Sequence, residues 1–486
     1  MPDTDPNVIE PTPEALEFMY AFPRRHPGLS ALRVTNTLQN AVLLAAFALL
    51  VICFLLDWTA TLIVLNGFFL AFYLAMMAFK AYLIDLSVSA RRELAFTPDD
   101  IARLKDDELP LYTILVPLYH EAESLARLLE GLRALDYPKD KLDILWLLEE
   151  DDEETRRAVE LTDLPRYVRI VVTPDAHPKT KPKACNLGLA MARGEYLVVY
   201  DAEDRPEPDQ LKKALLGFGE CGEEVVCLQA KLDFYNQRQN LLTRWFTTDY
   251  AIWFDLFLPG LDHLEAPIPL GGTSNHFKVA ELRKLLGWDP YNVTEDCELG
   301  VRLATSGRKT RMIDSTTWEE ACSRLSYWVR QRSRWTKGYI QTYLAQQRWP
   351  FRLLGRLGLL RTLAFHIMVG GTFVCLLINP IYWALTLLWF TFRWETFGDL
   401  FPYPLIVWGL LCLFVGNFLF VYAAVLATYK RGYYDLVKFC LLVPLYWIIT
   451  SVGAWKGFVQ LLGRPSYWEK TRHGLDLRAG ARRAGT

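Results

Sequence analysis

The chain has 486 residues, 52% of them hydrophobic and 14% aromatic, with a formal net charge of −2. That length can bury a sizeable core in more than one domain, and the apolar share is high for a soluble protein. The near-neutral charge argues against a nucleic-acid partner, and nine cysteines without a C-x-x-C pair argue against a zinc site or a disulfide framework.

In chain order, residues 1–33 begin acidic and proline-rich, unlike a secretory signal, and are expected to form a cytoplasmic segment. Val34–Leu56 and Trp58–Phe79 are uncharged, with only Asp57 between them. Thr362–Phe392 and Leu400–Tyr429 are uncharged as well. Each exceeds the roughly 20 residues that cross ~30 Å of hydrocarbon. Two transmembrane helices are therefore expected in 34–84, and two more, after an interfacial segment, in 346–430. Arg24, Arg25 and Arg33 precede the first pair, and Lys80, Arg91 and Arg92 follow it. The positive-inside rule then puts the N-terminus and the central block in the cytoplasm, as for an integral protein of the plasma (inner) membrane. Phe439–Trp455 has 17 uncharged residues, broken by Pro444 and followed by Lys456. Spanning would export Lys470, Arg472, Arg478, Arg482 and Arg483, so 431–486 reads as a re-entrant or in-plane interfacial helix with a cytoplasmic tail.

Residues 105–345 read as a soluble α/β domain. Leu111–Val116, Ile144–Leu148, Val168–Val172 and Tyr196–Tyr200 are short apolar runs that suggest strands. Between the first two, Leu125, Leu128, Leu129, Leu132 and Leu135 recur at helical spacing. The alternation implies a mostly parallel, Rossmann-like sheet, whose ligands bind beyond the carboxyl ends of the strands. Three such ends carry polar groups: Tyr119 and Glu121, Glu149 to Asp152, and Asp201 to Asp204. Farther on, Gln331, Arg334 and Trp335 fall on one face of a helix. An amide, a guanidinium fork and a flat ring on one face suit a diphosphate and a sugar.

Six segments in order carry a resemblance. They are Val116–Glu121, Glu149-Glu150, Lys183–Asn186, Asp201-Ala202-Glu203, Thr294-Glu295-Asp296 and Gln331–Trp335. The block resembles the family 2 glycosyltransferases, particularly the membrane-embedded processive synthases related to cellulose and hyaluronan synthases. Glu149-Glu150 stands where that family usually has an aspartate pair, and Glu203 where it most often has aspartate.

The resemblance implies a GT-A-like cytoplasmic domain on an α-helical transmembrane region, and a role for each segment. Tyr119, Glu121 and Glu149 or Glu150 would contact base and ribose, and Lys183 ribose or phosphate. Asp201 and Glu203 would hold Mg²⁺ or Mn²⁺, with Asp204 assisting through water. Asp296 would be the general base of an inverting displacement. A helix cap is the structural reading of the same Thr294–Asp296 segment, and both can hold. Gln331 and Arg334 would bind the diphosphate and Trp335 would stack on the acceptor sugar. In Gly271–Phe277, which resembles an acceptor-side segment, His276 would either orient an acceptor hydroxyl or be structural. Trp468–Gly474 resembles a degenerate gating loop of bacterial cellulose synthase, departing at Lys470 and His473.

The expected activity is transfer of a sugar from a UDP-sugar, UDP-glucose first, to a growing β-linked polysaccharide at the lipid bilayer. The alternative is single transfer to a membrane lipid, favoured by the small number of spans. Four helices make a thin wall for a polymer channel unless an oligomer or export partner completes it. A third reading is an inactive membrane scaffold or transport subunit.

Overall fold

The computed structural model describes residues 7–90, 92–392 and 398–469. Within these residues nine strands form one sheet: β1 Val8–Ile9, β2 Tyr112–Leu118, β3 Leu142–Glu149, β4 Val168–Thr173, β5 Tyr196–Val199, β6 Arg205–Pro206, β7 Val225–Phe234, β8 Asn275–Lys278 and β9 Lys309–Glu319. Their order is β1-β4-β3-β2-β5-β8-β7-β9-β6. From β1 to β5 every neighbouring pair is parallel. β8 runs antiparallel between β5 and β7, β9 is parallel to β7, and β6 closes the far edge antiparallel to β9.

The parallel core is buried on both faces, which is why its strands read as near-continuous apolar runs. All eight residues of β3 are buried. Ile114, Val116, Ile144, Trp146 and Leu148 point to one face, against the Leu125–Ala134 helix. Leu115, Leu145 and Leu147 point to the other, against the Lys181–Met191 helix. There Gly188 lets the helix lie close, since a Cβ on it would stand 2.8 Å from Leu115. That second core continues without a break to Met76, Phe79, Ile367, Met368 and Ala424 of the apolar helices. The sheet is thereby fixed to the membrane-side helices by packed side chains.

The first 33 residues are more than a leading segment. Val8 and Ile9 pair with Ile170 and Val171 as an edge strand. Phe22 is fully buried beneath the Arg302 guanidinium, 3.9 Å from its ring. Asn186 donates to the Met19 carbonyl (3.1 Å), and Asp289 accepts from Ser30 Oγ (2.9 Å) and the Ala31 amide (2.6 Å). The segment is integrated into the α/β domain through hydrogen bonds whose partners lie over a hundred residues away.

Among the described residues, four helices are long and apolar enough to cross a membrane: Thr37–Leu56, Trp58–Ser89, Leu359–Leu388 and Tyr403–Lys430. Asp57 caps the second through the Ala60 amide (2.9 Å), so one short turn reverses the chain. None of the first helix is buried; Leu43, Leu44 and Phe47 are exposed, a surface that hydrocarbon would cover. The fifth apolar stretch forms Tyr434–Cys440 and Val443–Gly463, bent by 71° at the break, the geometry of a broken span or a re-entrant segment. Its longer arm packs on the Leu325–Gln346 helix, the one that carries Gln331, Arg334 and Trp335. Gly453 and Gly457 make that approach possible: a Cβ would lie 2.9 Å from Arg332 Cβ at the first and 2.3 Å from the Ser333 carbonyl oxygen at the second. A small-xxx-small stripe of this kind lets two backbones touch.

Gly457→Leu should overpack this contact and lower stability by about 1–3 kcal/mol. Thermal unfolding in detergent checks this; a midpoint equal to wild type would remove the contact from the account.

Candidate functional site

A cavity of about 1630 Å³ opens beyond the ends of β2, β3 and β5 and continues between the Trp58–Ser89, Leu359–Leu388 and Tyr403–Lys430 helices. Register explains its floor. Leu118 lies beside Leu148, and Val199 beside Leu115, so Tyr119, Glu149 and Asp201 emerge at adjoining strand ends. Tyr119, Glu121 and Glu149 line one end. The Glu121 amide donates to Thr155 Oγ1 (3.0 Å), and Asp152 accepts from the His120 amide (2.5 Å), which fixes the turn after β2.

Next to them sits an excess of carboxylates. Asp201, Glu203 and Glu319 line the cavity, and Asp204 is buried beneath. Asp204 accepts from the Asp201 amide (2.7 Å) and from Thr273 Oγ1. Burial, then the charge of Asp201, push the Asp204 carboxyl well above its usual range. Burial and the charges of Asp204, Glu203 and Asp201 do the same to Glu319. Asp204 Oδ1 and Glu319 Oε1 are buried without a hydrogen-bond partner among the described residues. Lys181 is the cation within the cluster: its Nζ donates to Asp201 (2.5 Å) and to the Gly272 carbonyl (2.7 Å). Burial opposes that charge, but Asp201 and Glu295 outweigh it and hold the ammonium above its usual range. Among the described residues no three His, Cys, Asp or Glu side chains converge on one metal position. Two carboxylates beside orphaned acidic oxygens still suit a hard cation whose other ligands are phosphate oxygens and water.

Across the cavity, Glu295 and Asp296 open the Glu295–Thr305 helix, with Thr294 at its N-cap position. Asp296 Oδ1 accepts from the Cys297 amide (2.7 Å), and its other oxygen would lie 3.4 Å from a Cβ on Gly272. Burial pushes the Asp296 carboxyl up to about 6, against the pull of the Cys297 amide, Lys181 and Arg334. Burial and the neighbouring Asp296 push Glu295 up to about 8. One carboxylate near neutral pH beside one carboxylic acid is an arrangement suited to proton transfer.

The Leu325–Gln346 helix closes the site. Gly338 lets it press on Thr294, whose Oγ1 would be 2.2 Å from an added Cβ. Gln331, Arg334 and Trp335 all reach the cavity. Gln331 Oε1 and Arg334 Nε are buried without hydrogen-bond partners among the described residues, so both have capacity for a ligand. Arg334 lies 4.1 Å from the Trp468 ring centroid. Trp335 stacks on Tyr250 at 6.1 Å and 29°. Arg332 does not face the site's polar end: it pairs with Asp249, accepts no role in the acid cluster, and supports Trp335 at 4.6 Å. Residues 464–469 cross this helix, with Lys337 donating to the Tyr467 carbonyl (2.7 Å) and Glu469 pairing with Lys456 (2.7 Å). Of the expected gating segment, Trp468 and Glu469 are described; Lys470 to Gly474 lie outside the described residues.

Three expected site residues are not at the cavity. Lys183 is fully buried and donates to Glu149 (2.8 Å) and to the carbonyls of Pro174 and Ala176 (3.1 Å each). Two residues around a helix from Lys181, it points away from the ligand side and braces Glu149 instead. Glu150 accepts from the Asp175 amide (2.8 Å) on the outer surface, because alternation along the strand end sends Glu149 inward. His276 is inside the sheet on β8, bonded to Tyr112 Oη (2.7 Å) and Gln210 Oε1 (3.3 Å), and burial lowers it to about 3. It is a neutral core histidine, and Gly271–Thr273 are the part of its segment that lines the cavity.

Lys181, Glu295 and Glu319 are at the site without having been singled out. Glu295 lay inside the Thr294–Asp296 segment but was given no role of its own, and Lys181 stood two residues before the Lys183–Asn186 segment. Glu319 ends β9, a strand whose polar sequence gave no apolar run to mark it.

Residues 113–277 match the model of Glycosyl transferase family 2, and residues 196–397 that of Glycosyl transferase family group 2. A probable glycosyltransferase of Bacillus subtilis, YdaM, is 29% identical over 49% of this chain and 58% of its own length. The beta-monoglucosyldiacylglycerol synthase of Synechocystis sp. is 25% identical over 54% of this chain and 56% of its own. A probable glucomannan 4-beta-mannosyltransferase of Oryza sativa subsp. japonica is 26% identical over 48% of this chain and 41% of its own. The chain thus spans roughly half the length of these curated relatives. Among solved structures, the mannosyltransferase PcManGT from Pyrobaculum calidifontis, in complex with GDP-Man and Mn²⁺, shares the fold at a TM-score of 0.50 and 17% identity, over 81% of this chain and 99% of that one. Two overlapping stretches of this chain thus match family 2 glycosyltransferase models, and they lie on a GT-A-like sheet, mixed in direction with a parallel core.

Proposed function

We propose that the chain is a membrane-bound inverting glycosyltransferase that moves one sugar, glucose from UDP-glucose first, to a membrane lipid. The observation that carries this reading is the continuity of one cavity from the acidic strand ends, past Asp296 and Trp335, into the space between apolar helices. The base and ribose would lie against Tyr119, Glu121 and Glu149. Mg²⁺ or Mn²⁺ would be held by Asp201 and Glu203 together with the donor's phosphate oxygens, and would neutralise charge on the departing diphosphate. Arg334 and Gln331 would grip that diphosphate, and Trp335, which lines the cavity, would contact a sugar ring. Asp296 would take the acceptor hydroxyl's proton as the oxygen bonds to the anomeric carbon and the bond to the diphosphate breaks. A single displacement of this kind inverts the anomeric configuration.

The membrane end of the cavity favours a lipid over the polysaccharide acceptor. Its polar side chains are largely paired among themselves. Tyr73 donates to Asn379 (2.6 Å), and Tyr382 to Asn66 (2.8 Å). Thr372, Thr386 and Thr450 each donate back to a carbonyl of their own helix. A glucan would find few partners for its hydroxyls there, whereas an acyl chain needs none. The two relatives whose printed names describe a lipid product and a glucomannan product stand on either side of this choice.

With the domains anchored as the positive-inside pattern implies, transfer takes place at the cytoplasmic face of the inner membrane. The test is incubation of the purified protein, in lipid nanodiscs with Mg²⁺ or Mn²⁺, with a panel of labelled nucleotide sugars. Label in the lipid extract is expected; label in high-molecular-weight material would restore the polysaccharide reading, and no turnover of any donor would support an inactive scaffold.

Two further outcomes follow from the same site. Asp296→Asn should lower the rate by about 10²–10⁴-fold, the range for loss of a general base. Because burial raises the Asp296 carboxyl to about 6, it is unprotonated above that pH and protonated below, so kcat/KM should fall as pH drops through about 6. A profile flat from pH 5 to 8 would assign the base elsewhere. Chelation by EDTA should abolish transfer, and added Mn²⁺ or Mg²⁺ should restore it.

A further inference from the structure

Lys80 is a cation the donor site does not use. It lies on the Trp58–Ser89 helix and lines the same cavity, on its membrane side. The uncharged run ahead of it, Trp58–Phe79, has 22 residues. At ~1.5 Å per residue that run covers the hydrocarbon core, so Lys80 stands at headgroup depth on the cytoplasmic side. Its Nζ lies 4.8 Å from the Phe420 ring centroid and 5.3 Å from that of Phe257. Among the described residues no carboxylate pairs with it. The carboxylate nearest in influence, Asp249, is held by Arg332 and by the Tyr446 hydroxyl (3.4 Å). An ammonium in such a place is costly unless an anion meets it, and an ionisable side chain at the edge of hydrocarbon marks a binding position.

The donor's diphosphate does not supply that anion, because Lys181, Arg334 and the metal-holding carboxylates already define its place. Around Lys80 the cavity wall is instead Met77, Phe373, Leu376 and Leu413, which suit acyl chains. We propose that Lys80 binds the phosphate of an anionic membrane lipid, and that this lipid, its tails between the helices and its free hydroxyl directed to Asp296, is the acceptor. The proposal rests on the lipid-acceptor reading above and adds the headgroup charge. Without the phosphate, a lipid of the same tails would leave the Lys80 ammonium unpaired in an apolar wall.

The experiment compares two acceptors in nanodiscs of the full-length protein: phosphatidylglycerol, with a phosphate and a free hydroxyl, and diacylglycerol, with the hydroxyl alone. Phosphatidylglycerol should be glycosylated at the lower KM. Lys80→Met should raise that KM about tenfold or more, as for loss of a hydrogen bond to a charged group, and bring it to the diacylglycerol value. The donor KM should stay within about twofold of wild type, and Lys80→Arg should retain the preference; both would separate acceptor binding from a folding defect. Equal KM values for the two lipids in wild type, with no change in Lys80→Met, would overturn the headgroup proposal while leaving lipid transfer standing. Label in neither lipid would overturn both readings. Inorganic phosphate in excess should not compete; competition lost in Lys80→Met would assign the site to a free anion and not to a headgroup.

Discussion

The site depends on how the Leu325–Gln346 helix is held. On one side Gly338 brings it against Thr294, and on the other Gly453 and Gly457 bring the Val443–Gly463 helix against Arg332 and Ser333. The helix is wedged between the Glu295–Thr305 helix of the α/β domain and the apolar Val443–Gly463 helix. Side chains at its contacts cannot grow without moving one of them. From that position Arg334 faces the carboxylates at the strand ends, while Trp335, braced by Arg332 and Tyr250, faces the space where an acceptor would enter. The carboxylate side and the aromatic side of the cavity are thus aligned by one element, and the alignment is a matter of backbone proximity more than of hydrogen bonds.

Electrostatics gives the second constraint. Asp201, Glu203, Asp204 and Glu319 crowd one corner, where Lys181 donates to Asp201. The buried members shift toward their neutral forms. Such a cluster is costly to fold around and has a purpose when a ligand brings positive charge. A divalent cation arriving with a nucleotide diphosphate would relieve it, and the proton balance would change as it bound.

Much of this was legible in the chain. The four apolar helices and the first four core strands could be read because uninterrupted apolar runs are the direct signature of a span or a doubly covered strand. Asp201, Asp296, Gln331, Arg334 and Trp335, singled out by their motifs, all line one cavity. What the chain hid has physical reasons. β7 alternates polar and apolar residues in its second half, β9 is mostly polar, β6 and β1 have two residues each, and β8 has four with a single apolar side chain. The choice between Lys181 and Lys183, or Glu149 and Glu150, turns on which way one residue points at a helix start or strand end, and a motif does not encode that. His276 was drawn into the site by a polar neighbourhood that the sheet closes over. The integration of residues 7–33 into the domain rests on single distant contacts, which no periodicity announces.

The central claim is that donor site and membrane share one path, filled by lipid. It is tested most directly by a diacyl lipid with a photoreactive group midway along one chain, incorporated in nanodiscs with the protein and irradiated. The account predicts cross-links on cavity residues such as Met77, Phe373, Leu413 and Phe420 as well as on the outer surface. Cross-links confined to outward-facing residues such as Leu43, Leu44 and Phe47 would contradict it.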